Sequence, residues 1–348
     1  MLITDIKELR LASPAHALDS IDGLVGFIDN SEHDFLEDKL GTPLYDALCQ
    51  WYNRNITVRS SVSDYQTGYW NRLLLLAQRC VAFDALGRAI GMQAISVNNA
   101  GINVSVADEY PAPDKNGKTI DLYRDTCTKE AHAALNQLLR QLEQWCKEQG
   151  DDSECSEIVT LWKESRYYYL AAALLIPSCE VLQSYLNIYD SREKFIQLLP
   201  DLRFIQEEVL APAIGEDFFD WIISQVVNGE LDDNQPTIMS RLLRKLRKID
   251  TCYLEGRTTV IKVDKQRKID AHDEGVRLLG QLCDYCRQHQ ADILTALGDN
   301  ADAYRHSPLY IEPQPAEPAT VPSGSPSGCK CSDFNNPDMA LCVTMPLL

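Results

Sequence analysis

Few residues able to do chemistry stand at the spacings that chemistry requires. Gly117-Lys118-Thr119 matches the end of a phosphate-binding loop. Such a loop needs a second glycine five residues before Gly117, so that backbone N–H groups can wrap a phosphate. Position 112 is Ala112, and Asp114-Lys115-Asn116 reads as a hydrophilic turn. Cys283 and Cys286 have C-x-x-C spacing, but they share one face of a helical pattern and no second pair follows at zinc-ribbon spacing. They read as a core-facing pair. Cys329, Cys331 and Cys342 leave a tetrahedral site one ligand short. His16, His33, His132, His272, His289 and His306 make no H-E-x-x-H pair. Asp151-Asp152 and Asp232-Asp233 read as solvated loop acids, and Glu207-Glu208 lacks the specific partner that a general acid needs. No serine stands in a nucleophile elbow. The expectation is a protein that is not an enzyme, with no catalytic, cofactor or metal site.

The elements that would position any site are helical. Hydrophobic residues make up 45% and charged residues 24% of 348, the balance of a soluble globular chain long enough for two domains. The longest apolar run, Leu170 to Ile176, is far short of a bilayer span. The N-terminus has no basic start and no apolar stretch, and it reads as unexported. Twelve cysteines without the tight spacing of secreted modules read as mostly free thiols in a reducing cytoplasm. Leu18, Ile21, Leu24, Val25, Ile28, Leu36 and Leu40 recur at helical steps, Gly41 ends that helix, and Thr42-Pro43 starts the next. Longer helices are expected over about Tyr65 to Met92 and Ile120 to Glu148. Between them, Ala94 to Val106 alternates around Asn98-Asn99-Ala100-Gly101, the pattern of a small β-hairpin.

The chain also matches itself. Phe35 to Leu48 aligns without gaps on Val209 to Ile222, an offset of 174 residues that superposes Gly41 on Gly215 and Tyr45 on Phe219. Ile3-Thr4-Asp5-Ile6 and Ile176-Pro177-Ser178-Cys179 fall within a residue of that offset. The helix after Tyr65 has a counterpart near Ser240 to Leu254, and the alternating stretch has one at Thr258 to Val263. The fold class expected is mainly α: two tandem helical repeats with small β-hairpin excursions and a Pro-rich extended tail. The boundaries are 1–150 for the first repeat, 151–175 for a linker, 176–306 for the second repeat and 307–348 for the tail. That tail holds eight of the sixteen prolines and too little apolar surface to offset its ordering entropy.

The corner carries a family resemblance. An acidic residue, an apolar pair, a proline or its equivalent, Leu/Ile-Gly and a following aromatic resemble the E-x-x-x-I-x-P-x-L-G-x-x-L-Y-x-x-L signature of the head–tail connector (adaptor) proteins of tailed phages. The likeness extends to a two-repeat neck protein of phages and prophages of Bacteroides-type hosts. Its T-x-x-E-F-x-x-Y segment corresponds to Ser178 through Tyr185, and its Ile-Ser…Gly-Ile/Val-x-Val stretch to Ile95-Ser96 through Gly101-Ile102-Asn103-Val104. The resemblance covers roughly 3–148 and 176–290. Asp38 departs from the pattern where Pro212 keeps it, and Val181 replaces the usual aromatic. The resemblance implies a virion protein of the phage neck, assembled in the host cytoplasm. It would form a homo-oligomeric ring of about twelve subunits between the portal and the tail or neck proteins. DNA would pass through its lumen unbound, and no membrane would be involved.

Charge fits that picture and adds one local feature. With 51 acidic against 33 basic residues the chain is net −18, which disfavours coating nucleic acid. Yet Arg241, Arg244, Lys245, Arg247, Lys248, Arg257, Lys262, Lys265, Arg267 and Lys268 crowd one segment against three acids, Asp250, Glu255 and Asp264. This stripe reads either as an ordinary solvated face or as an intersubunit seam that meets an acidic surface of the next copy; DNA contact is disfavoured by the lack of interleaved aromatics. On the seam reading, reversing Arg244, Lys245 and Arg247 impairs assembly and leaves helical content intact. A cytoplasmic helical scaffold without ring assembly shares every compositional fact, and a small-molecule enzyme would need a deep ionisable pocket.

Overall fold

Apolar residues at helical spacing form helices along most of the chain. The computed structural model describes residues 1–13, 19–55, 61–93, 95–98, 101–104, 118–148, 152–165 and 167–312, and it is mainly α-helical. Asp114 to Gly117, the hairpin turn at 99–100, His16 and the tail cysteines lie outside the described residues.

In the N-terminal half, Asp5 accepts a hydrogen bond from the Lys7 N–H and caps α1 (Ile6–Ala12). Helix α2 (Val25–Ser31) runs through a π-helical turn (Glu32–Glu37) into α3 (Asp38–Leu40), which stops at Gly41. Then come α4 (Thr42–Arg54) and α5 (Tyr69–Gln93). Strands β1 (Ile95–Asn98) and β2 (Gly101–Val104) pair antiparallel, Ile95 opposite Val104. Helices α6 (Lys118–Glu148) and α7 (Ser153–Lys163) close the half.

The described residues of the C-terminal half carry helices without an intervening strand. Ser178 caps α8 (Cys179–Tyr185). Helix α9 (Arg192–Ile205) passes through another π-helical turn (Gln206–Leu210) into α10 (Ala211–Ile214), which stops at Gly215. Next follow α11 (Glu216–Val227), α12 (Ile238–Arg257), α13 (Lys265–Gln288), α14 (Gln290–Leu297) and α15 (Ala301–Arg305).

Two antiparallel pairs carry the core, α5 on α6 and α12 on α13. Leu73, Leu74, Ala77, Cys80, Val81 and Ala85 form the buried stripe of α5 and meet Ala131, Leu135, Leu138 and Leu142 of α6. In the other half Leu242, Leu243, Leu246 and Ile249 of α12 are buried, with Leu282 and Cys286 of α13. Each fully buried leucine contributes roughly 1.5–3 kcal/mol, so these stripes outweigh any single polar contact.

Three expectations need correcting. The segment 151–175 is not a simple linker, because α7 packs on α4, α5 and α6 with Cys155, Ile158 and Trp162 buried. The compact unit extends past 306, to Leu309, since Ser307 and Leu309 are buried. Thr258 to Val263 forms no strand: Thr258 caps the end of α12, its hydroxyl accepts the Val260 N–H, and the short loop leads straight into α13.

Candidate functional site

Among the described residues the buried polar chemistry concentrates at the two corners, at the contact between the halves and on α12. At the corners Gly41 has φ 82°, ψ 146° and Gly215 has φ 97°, ψ 128°. This region of backbone space is essentially closed to residues with a Cβ. Each corner is also filled from behind. A Cβ on Gly41 would lie 1.9 Å from the Ser165 hydroxyl, and one on Gly215 would lie 2.8 Å from the Ser307 Cα. The two serines close matching turns: the Ser165 N–H donates to the Trp162 carbonyl and the Ser307 N–H to the Tyr304 carbonyl, both at 3.0 Å. Ser307 Oγ also donates to the Ile214 carbonyl beside the glycine. Of the aromatics after the corners, Tyr45, Phe218 and Phe219 are buried, and the Tyr45 hydroxyl donates to Glu32 at 2.7 Å. Burial, then the Glu32 charge, pushes that hydroxyl far above its usual range and keeps it a donor.

Behind each corner the π-helical turn turns a polar side chain inward. Glu32 accepts the Leu2 N–H at 2.5 Å while Gln78 donates to the Leu2 carbonyl at 2.7 Å. In the other half Gln206 accepts the Leu175 N–H at 3.2 Å while Arg247 Nε donates to the Leu175 carbonyl at 2.7 Å. Each half thus satisfies both backbone groups of one buried leucine with one side chain from the π turn and one from the long helix. A buried N–H or C=O left unpaired would cost about 1–3 kcal/mol.

The halves meet along one face of α6. His132 contacts Glu193, the Asn136 side-chain oxygen (Oδ1) accepts the Arg192 N–H at 2.9 Å, Arg140 pairs with Asp190, and Lys147 reaches Glu180 at 3.1 Å. At the centre the fully buried Arg192 holds Glu143 through Nε at 3.1 Å and Nη2 at 3.0 Å, and the Tyr169 hydroxyl donates to the same carboxylate. Steps of three and four residues put all five α6 positions on one side of the helix.

The basic segment divides. Arg247 is buried, bound to the Leu175 carbonyl and to Asp233 at 2.8 Å, so it cannot face another subunit. Arg257 pairs with Asp201 and lies 3.8 Å over the Phe204 ring; Arg267 pairs with Glu255; Lys268 donates to the Thr258 carbonyl. Lys262 and Lys265 are exposed. The remaining four, Arg241, Arg244, Lys245 and Lys248, line a groove of about 410 Å³ between α12 and α13. The physical reason for the division is periodicity: Arg241, Arg244, Lys245 and Lys248 follow at steps that keep them along the groove, whereas Arg247, one residue and about 100° from Lys248, turns into the core. Charge density along the sequence does not amount to one surface.

Sequence reasoning missed the Arg192–Glu143–Tyr169 cluster, the two corner serines and the pair Gln206–Asp250. The repeated spacings Trp162-x-x-Ser165 and Tyr304-x-x-Ser307 are the signal that could have exposed the serines. Among the described residues no group of His, Cys, Asp or Glu is arranged to hold a metal ion, and the nine described cysteines are unpaired thiols.

With this geometry in hand, comparison with known proteins gives one result. Residues 36–149 match the model of a family of unknown function, DUF6712. The match covers about a third of the chain, from the first corner to the end of α6. No curated protein and no solved structure matches the chain.

Proposed function

We propose that this chain is a structural assembly protein, two tandem copies of one helical module, that forms a ring in the neck of a tailed phage, joins portal to tail and lets DNA pass. The observation that carries the proposal is the pairing of corners. Both halves stop a helix at a glycine-only backbone, fill it with a serine, and satisfy a buried leucine from a π-helical turn. The stretch matched by the DUF6712 model has about the length of one such module, which supports the module as a unit of its own.

The role is mechanical. Corners that admit no other residue hold the interhelical angle, and the polar seam on α6 holds one half against the other, so force passes through the subunit without bending it. Repeated head-to-tail contacts close a ring. A net charge of −18 keeps passing DNA from adhering by counterion release. Contacts to a neighbour are best placed on the first turns of α6, where Leu122 and Tyr123 are exposed. The proline-rich composition beyond residue 312 suits a docking arm.

Light scattering and electron microscopy of the purified chain, alone and with a tailed-phage portal protein, test the reading. Rings, formed freely or on the portal, are expected. A monomer under both conditions overturns ring assembly and favours a soluble scaffold.

A further inference from the structure

Six of the eight residues that line the groove between α12 and α13 carry hydrogen-bond donors. Arg241, Lys245 and Lys248 have no acidic partner within ion-pair distance among the described residues, and Arg244 is engaged only through the Asp233 carbonyl. Tyr285 lines the same groove, and its hydroxyl oxygen is shielded from solvent with no hydrogen-bond partner among the described residues. Lys245 Nζ stands 4.9 Å over the Tyr285 ring. Ile249 and Leu278 give the groove an apolar floor, which weakens solvent screening of the charges above it.

Four cations held together repel one another; Glu274 attracts Lys248 from beyond ion-pair distance, whereas Arg257 and Arg267 in the rest of the basic segment have direct carboxylate partners. A shielded hydroxyl without a partner costs about 1–3 kcal/mol and is relieved by an acceptor. A single carboxylate from another subunit would leave most of this charge unmatched. A multiply charged phosphate matches both the charge and the donors.

We propose that this groove is a phosphate-binding site for a multiply charged phosphoanion, with Arg241, Arg244, Lys245 and Lys248 as charge partners and the Tyr285 hydroxyl as an added donor. The same chemistry is available from a small polyphosphate or nucleotide and from a DNA backbone.

Calorimetric titration of the full chain with tripolyphosphate tests the site. Saturable binding of one equivalent is expected. The double substitution Lys245→Ala with Lys248→Ala, at exposed positions, is expected to weaken it about tenfold or more. Lys262→Ala with Lys265→Ala removes as much charge outside the groove and is expected to change binding less than about twofold. Tyr285→Phe is expected to weaken binding several-fold while leaving the thermal midpoint unchanged or higher, because that hydroxyl has no partner to lose. Competition by a short DNA duplex, lost in the groove variant but kept in the control variant, would assign the phosphate to DNA; failure to compete would assign it to a small phosphoanion. No saturable binding, or equal weakening by the two double substitutions, overturns the site. So does a groove variant that alters only the oligomeric state, which would give the groove to carboxylates of a second copy.

Discussion

The corners at Gly41 and Gly215 share a backbone geometry but are backed by different side chains. Around Leu2 the N-terminal half buries a carboxylate, Glu32, answered by the Tyr45 hydroxyl and by the terminal amine at 3.5 Å. Around Leu175 the C-terminal half buries an amide, Gln206, which donates at 2.7 Å to Asp250. Tyr45 has Phe219 as its counterpart, and Gln78 has Arg247. The task is constant: pair both backbone groups of one leucine. The charge state is free to vary, because any side chain that reaches with the right donor or acceptor will serve. The consequence is unequal electrostatics. Burial pushes the Asp250 carboxyl up to about 7, against the opposing pull of Gln206 and Arg247, and one of its oxygens has no hydrogen-bond partner among the described residues.

The comparison can be broken most severely at the contact between the halves. Arg192→Ala strands the buried Glu143 carboxylate and is expected to cost about 3–5 kcal/mol. Urea unfolding monitored by fluorescence should then resolve two transitions, one per half. A single transition at the wild-type midpoint would mean that the seam does not couple them.

The corners come next. Gly41→Ala and Gly215→Ala should each cost about 2–3 kcal/mol from backbone strain, beyond any clash. The clash distinguishes the halves. At Gly41 the obstruction is the Ser165 side chain, so adding Ser165→Gly should restore part of the loss. At Gly215 the nearest atom is the Ser307 Cα, and Ser307→Gly should restore little. Equal rescue at both corners in thermal melts would contradict the packing described here.

Asp250→Asn sharpens the electrostatic difference. The native carboxyl titrates near 7, well above the unfolded value of about 3.9. Its contribution to stability is therefore fully present at acid pH and is lost as pH rises through that window to the folded value. The asparagine variant lacks this loss, so its advantage over the wild type should grow between about pH 4 and about pH 7 and reach ~1–3 kcal/mol at pH 8. A pH-independent difference between the two melting curves would refute the assignment. His132, raised by its bond to Glu193, acts in the same sense: its part is lost as pH climbs past its folded value. The smallest effect is expected for Glu32→Gln, about 1 kcal/mol, since glutamine can still accept the Leu2 N–H and the counterpart position already carries Gln206. A loss several times larger in chemical denaturation would show that the charge at Glu32 is essential to the N-terminal half.

Much of the helical content was legible because burial and periodicity are local. Ala131, Leu135, Leu138, Leu139 and Leu142, read as one face of a helix, are all buried. Gly41 and Gly215 were legible because backbone conformation constrains residue type at a single position. The basic segment was misread for the opposite reason. A count of charges along the chain cannot tell Arg247, turned into the core, from Lys248 beside it, turned out to solvent. The linker was misread because acidic residues around 151 suggested solvent, although Trp162 and Ile158 follow at helical spacing and bury α7.

Sequence by itself determined where helices run, where they must break and what net charge the surface carries, since these follow from residue type over a few positions. Only the tertiary structure decided which polar groups meet. Arg192 finds Glu143 from 49 residues away, and Ser307 finds the Ile214 carbonyl from 93 residues away. Such partners are chosen by packing distant apolar faces together, and the desolvation that packing brings makes each meeting matter.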